Sequence, residues 1–113
     1  ALEALVRDLD GYLRWAYNSW TADPEKDSRY ISWSGGDTYI IYPYSTSSIR
    51  WERLVQGIQQ FEKYKILWNE AKSKNDTSTL SQLEQLLKHI DVHKVEEESE
   101  RMVNEFRKGL NKF

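Results

Sequence analysis

In the opening ALEALVRDLD, the apolar positions are Leu2, Leu5, Val6 and Leu9. Their i, i+3, i+4, i+7 spacing predicts one face of a helix. No capping residue precedes Leu2, so the helix reads as the start of a cut chain. Asp10-Gly11 ends it. YLRWAYNSW follows, rich in aromatics and bracketed by turn formers, and predicts a strand. Tyr12, Arg14 and Ala16 would face one way, and Leu13, Trp15 and Tyr17 the other. Both sets hold large or apolar members, so burial on both faces is expected. Residues 18–36 carry Asp23-Pro24 and Gly35-Gly36 without any period, and read as a long loop. The run Tyr39, Ile40, Ile41, Tyr42 predicts a second buried strand, stopped by Pro43.

A long helix is expected from about Ser48, capped by Ser47 or Ser48. Its stripe is Trp51, Leu54, Val55, Ile58, Phe61, Tyr64, Leu67 and Trp68. Gly57 lies inside it at a cost of about 1 kcal/mol against alanine, and predicts a closely packed neighbour. SKNDTST reads as a polar linker. Leu80, Leu83, Leu87 and Ile90 mark a third helix, with Thr79 and Gln82, or Ser81 and Glu84, as capping boxes. Val95, Met102, Val103, Phe106, Leu110 and Phe113 mark a fourth.

Two strands do not make a stable sheet alone. The long connection between them suits a parallel crossover. The expected fold class is therefore α/β: two strands plus helices as the C-terminal fragment of a (β/α)8 barrel, with a helical tail. The alternative is a small α+β domain, mostly helical, that pairs its strand edges by dimerising.

Composition narrows the field. The chain has 113 residues, with five Trp, seven Tyr and three Phe, an aromatic load that argues against disorder. Sixteen basic and eighteen acidic residues balance to −2, so no basic field recruits nucleic acid, and aromatic stacking platforms for bases lack their basic groove. No apolar run approaches the roughly 18–20 residues of a membrane span. Cysteine is absent, which removes disulfides, Cys-ligated zinc and thiol nucleophiles. The chain begins with Ala rather than Met, which reads as a processed or truncated product.

Several uncommon words occur in one order: Gly11-Tyr12-Leu13-Arg14-Trp15, Asp23-Pro24, the Trp33 to Thr38 stretch WSGGDT, Tyr42-Pro43, Ser47-Ser48-Ile49-Arg50, and Glu52-x-Leu54-x-x-Gly57-Ile58. Over about residues 11–68 this resembles the C-terminal end of the catalytic domain of family-123 glycoside hydrolases. The chain departs from the family at Gln59 and Gln60, where acidic residues are common. The resemblance implies a retaining hexosaminidase acting on N-acetylgalactosaminides. The substrate acetamide is the nucleophile, an Asp orients it and a Glu is the acid/base, an exception to the usual two-carboxylate scheme. That Asp-Glu pair lies upstream of the matched region, so this chain has no catalytic residues of its own and is expected to be inactive alone. The implied division is 1–70 as the last strands and helix of a TIM-barrel-like catalytic domain, with 71–113 as a helical tail. The resemblance also implies a bacterial, periplasmic or extracellular enzyme whose partner is a carbohydrate. No cofactor, nucleic acid or membrane is implied. A homodimer through exposed strand edges or the tail is a further expectation.

Barrel chemistry gathers at the C-terminal ends of strands. Those ends nominate Tyr17, Asn18 and Trp20 on the first strand and Tyr42 on the second as substrate-binding residues. Aromatic rings suit the apolar C–H face of a sugar, and an amide both donates to and accepts from hydroxyls. Trp15 and Tyr39 read as core. Arg14, in mid-strand, needs a carboxylate partner, and Arg50 is expected to reach Asp37 or an upstream acid in a structural pair. His89, Asp91 and His93, with Glu97, could supply metal ligands only if one helix carried both histidines, and Asp91-Val92 reads as a junction. No metal site is therefore expected. Glu96, Glu97, Glu98 and Glu100 read as a solvated face with Arg101. Asn75-Asp76-Thr77 matches a glycosylation sequon, a pattern frequent by chance. A rival reading is a non-catalytic, aromatic-rich carbohydrate-binding or protein-interaction module.

Overall fold

The computed structural model describes residues 1–30 and 32–113, without the side chains of Val95 and Glu96. The expectations that placed Val95 on an apolar stripe and Glu96 on a solvated face lie outside the described residues. Among the described residues there are four α-helices, α1 (Leu2–Val6), α2 (Ile49–Ser73), α3 (Thr77–Lys88) and α4 (Val95–Leu110), with single 3-10 turns at Pro43–Ser45 and Val92–Lys94. None of them is long and apolar enough to cross a membrane. The chain divides into two compact units, one of Ala1–Tyr12 with Gly57–Phe113, the other of Leu13–Gln56.

The first unit is helical. Leu2, Leu5, Tyr64, Leu83, Phe106 and Leu110 form its core, with Phe61, Leu67, Trp68, Leu86 and Val103 packed around them. The Tyr64 ring stacks at 6.0 Å on Trp68 and meets Phe106 at 6.2 Å. Burial pushes the Tyr64 phenol up to about 12, with the Glu84 charge adding to it. α3 packs on α4 and on α1. Two glycines allow close approach. A Cβ at Gly57 would lie 3.1 Å from the Ala1 Cβ, and one at Gly109 would overlap the Leu86 Cδ2. The expected stripes hold for Met102, Phe106 and Leu110, all buried, but Leu9 and Ile58 are exposed.

The end of α1 explains the exposure of Leu9. α1 stops before Leu9 because Asp8 takes a left-handed conformation (φ 53°). The Asp8 N–H then donates to the Leu5 carbonyl and the Leu9 N–H to that of Ala4, the 5→2 and 6→1 bonds of a Schellman stop. α2 ends the same way. Asn75 is left-handed (φ 54°), and the Asp76 N–H reaches the Ala71 carbonyl at 2.9 Å. Asp76 then caps α3, accepting from the Thr79 N–H at 3.0 Å and from its hydroxyl at 2.6 Å. So α3 begins earlier than either capping box proposed for it. In the sequon-like Asn75-Asp76-Thr77, Asn75 closes one helix and Asp76 opens the next. At the start of α2, Ser48 rather than Ser47 supplies the cap, accepting from the Trp51 N–H at 3.1 Å.

The second unit corrects the fold class. No strand forms among the described residues, and the expected pair of barrel strands is reduced to an isolated antiparallel bridge, Asn18 with Tyr39. The Ile40 N–H donates to the Tyr17 carbonyl and the Ser19 N–H to that of Thr38, and the ladder goes no further. This is neither the parallel pairing a barrel needs nor a sheet. The mostly helical alternative fits instead, without strand edges to pair. Two short segments offer too little pairing to persist as strands, and the predicted two-faced burial fails: Leu13 is 94% exposed and Ala16 is buried. The carbonyls that a neighbouring strand would have used are taken by side chains. Arg14 donates to the Asp37 carbonyl, Trp20 to Ile41, Arg50 to Tyr39 and Ser48 to Ile40.

Candidate functional site

The unit Leu13–Gln56 holds all four nominated residues. Tyr17, Asn18 and Trp20 lie on one segment, and Tyr42 on the segment facing it across the Asn18–Tyr39 bridge. The Tyr17 ring meets Trp51 edge-on at 5.9 Å and stays 46% exposed. Asn18 is exposed. Trp20 is held in place by its indole N–H, which donates to the Ile41 carbonyl at 2.8 Å, while its ring remains partly open. That donor is therefore spent on the protein, and the ring face is what Trp20 offers. Tyr42 packs edge-on against Tyr39 at 5.6 Å, and its N–H donates to the Thr46 carbonyl at 2.9 Å.

Tyr39 is the anchor beneath. It is fully buried, its hydroxyl donates to the Pro24 carbonyl at 2.7 Å, and the Arg50 guanidinium lies 5.1 Å above its ring. Desolvation raises its pKa, with the nearby Tyr42 adding to that and Arg50 opposing it. Tyr39 is thus core, as expected. Trp15 is not: it is 55% exposed and stacks on Trp33, with ring centroids 4.7 Å apart. Trp33, within the WSGGDT word, was not singled out from the sequence. A tryptophan set among serines and glycines was the signal available for it.

Three ion pairs lie among the described residues of this unit. Arg14 binds Asp37 through Nη2, at 2.6 Å to the carbonyl and 3.0 Å to Oδ1. Asp37 is therefore taken by Arg14 rather than by Arg50. Asp27 accepts from the Arg29 side chain at 2.8 Å through each carboxylate oxygen, and from the Arg29 N–H at 3.0 Å. Those hydrogen bonds hold the Asp27 carboxyl down at about 2 and raise the arginine. Asp23 pairs with Lys26, and Glu52 accepts from Ser47. These carboxylates organise loops, while the open aromatic faces and the Asn18 amide are suited to contacting a polyhydroxylated ligand.

Elsewhere the polar motifs are structural. Asp91 accepts from the His93 N–H at 2.9 Å in the turn between α3 and α4, so the two histidines do not share one helix. No group of three or more metal-ligating side chains occurs among the described residues. Arg101 pairs with Glu98 and Glu105 along α4. Gln60, one of the two departures at the family's acidic positions, is buried with both amide atoms unpartnered among the described residues.

The model of the glycoside hydrolase 123 catalytic domain matches residues 1–67, more than half of the chain, and the chain belongs to that family. The match takes in α1, which the resemblance from residue 11 onward had not included. No curated protein matches the chain.

Proposed function

We propose that this chain supplies a carbohydrate-contacting part of a family-123 hexosaminidase that acts on N-acetylgalactosaminides by substrate-assisted retention. The carrying observation is the family match over residues 1–67, which takes in every residue of the aromatic site. In this reading Tyr17, Trp20 and Tyr42 offer ring faces to the sugar and Asn18 offers an amide. In this reading the acid/base pair comes from the part of the family's catalytic domain upstream of the matched words, while Asp23, Asp27 and Asp37 pair with Lys26, Arg29 and Arg14.

The purified chain is expected to bind N-acetylgalactosamine weakly by calorimetry and ligand-observed NMR, less so after Trp20→Ala, and to release no phenol from an aryl N-acetylgalactosaminide. Turnover by the chain alone would overturn its non-catalytic role. Absence of sugar binding to the folded chain would overturn the contact role.

A further inference from the structure

Asp10-Gly11 directly follows the Schellman stop of α1. Leu9 is fastened by its N–H to the Ala4 carbonyl, and Arg14 by its guanidinium to Asp37. Asp10 and Gly11, between those two points, are exposed. Among the described residues the Gly11 N–H has no acceptor and the Asp10 carboxylate has no partner. A Cβ built on Gly11 would meet nothing within 4 Å.

An aspartate in such a setting can close on its own main chain. The Gly11 nitrogen attacks Asp10 Cγ and a C–N bond forms. The carboxyl C–OH bond breaks, and the hydroxyl leaves with the amide proton as water. A second water then opens the cyclic imide. Addition at Cγ restores aspartate. Addition at the main-chain carbonyl breaks the C–N bond there, and the chain now runs through Cγ as isoaspartate. Water is the only co-reactant. The closure needs a following amide free of hydrogen bonds, no bulky side chain over that nitrogen, and a carboxyl or carboxamide that is not tied down. Glycine meets the second need, because it has no side chain and turns freely.

Other positions fail one of these needs. After Asn18, the Ser19 N–H is held by the Thr38 carbonyl at 3.0 Å, and after Asn75, the Asp76 N–H is held by that of Ala71 at 2.9 Å. Before Ser28, the Asp27 carboxylate is gripped by the Arg29 side chain and main-chain N–H, which keep it ionised. We infer that Asp10 is a site of covalent modification, where this chain converts spontaneously from aspartate to isoaspartate. The product places one extra carbon in the main chain between the fastened Leu9 and the fastened Arg14.

The test incubates the folded chain in neutral buffer at physiological temperature for several weeks, beside a sample unfolded in guanidinium chloride. Isoaspartate is counted by enzymatic methyl transfer to its free carboxyl and placed by peptide mapping with electron-transfer fragmentation. In the folded chain it is expected at Asp10 at a level about tenfold above that at Asn18. Unfolding should raise the rate at Asn18 about tenfold, because its protecting bond opens with the fold, and change that at Asp10 less than about twofold. Gly11→Val, whose side chain has open space, should slow the conversion about tenfold with unchanged circular dichroism. Asp10→Glu should abolish isoaspartate there. Isoaspartate that is missing from Asp10 in the folded chain, that forms as fast at Asn18, or that forms at full rate in Gly11→Val overturns the inference.

Discussion

The two units solve the same problem, holding a chain in place, by different means. In the helical unit, backbone groups are paired within helices and the tertiary glue is apolar: Leu83, Phe106 and Leu110 are each 2% exposed or less. In the unit Leu13–Gln56 the backbone has little regular pairing, and side-chain donors satisfy its carbonyls. Arg14, Trp20, Ser48 and Arg50 each donate to a backbone oxygen of the segment Asp37–Ile41. Apolar burial is non-directional and tolerant, whereas a hydrogen bond to a carbonyl is directional and leaves a costly vacancy when lost. The second scheme lets a segment hold its shape while its aromatic rings stay open, which is what ligand contact needs.

The contrast can be broken most forcefully at Phe106. Phe106→Ala should cost about 3–5 kcal/mol in urea unfolding followed by far-UV circular dichroism, because a buried ring leaves a cavity among large neighbours. A loss below about 1 kcal/mol would mean that apolar packing is not what holds the helical unit. Next comes Tyr39→Phe, which keeps the ring and deletes the bond to the Pro24 carbonyl. It should cost about 1–2 kcal/mol, read locally as faster hydrogen exchange at the Ile40 and Ser19 amides. Unchanged exchange there would sink the view that side-chain bonds organise that unit.

The smallest effect is at Asp76, where a polar group serves the helical unit. The Thr79 hydroxyl and N–H, in that order, hold its carboxyl below the usual range. A folded-state value depressed in this way stabilises the fold above the unfolded value of about 4 and is lost as pH falls through the depressed one. Asp76→Ala should lower the melting midpoint at pH 7 and remove part of the acid-side decline. Asp76→Asn, which keeps a capping oxygen, should retain most of the midpoint and also flatten the decline. If the acid-side decline is unchanged in both variants, the cap is not its source.

What could be read beforehand follows the same divide. Leu80, Leu83 and Leu87 announce α3 because helical periodicity is local and apolar. The start of α3 was misplaced because Asn75 and Asp76 do their work through backbone conformation and capping, which look like mere polarity in the sequence. Tyr39 and Ile40 were rightly expected to be buried. Their backbone partners were not foreseen, because a bond from Arg50 or Ser48 to a distant carbonyl has no period. The strand-end logic that nominated Tyr17, Asn18, Trp20 and Tyr42 presumed a ladder that is absent, although the four residues do lie on facing segments. Trp15 was assigned to the core as an aromatic of an expected strand, and hydrophobicity carries no information about which ring a loop will leave uncovered.

The seam between α3 and α4 has a consequence for how this chain can change over generations. At Gly109 the space for a side chain is already filled by a methyl of Leu86. The two positions therefore share one volume, and enlarging the first is tolerable only where the second shrinks or swings aside. Substitutions at these sites should be inherited as a pair, with energies that do not add, although twenty-two intervening residues separate them.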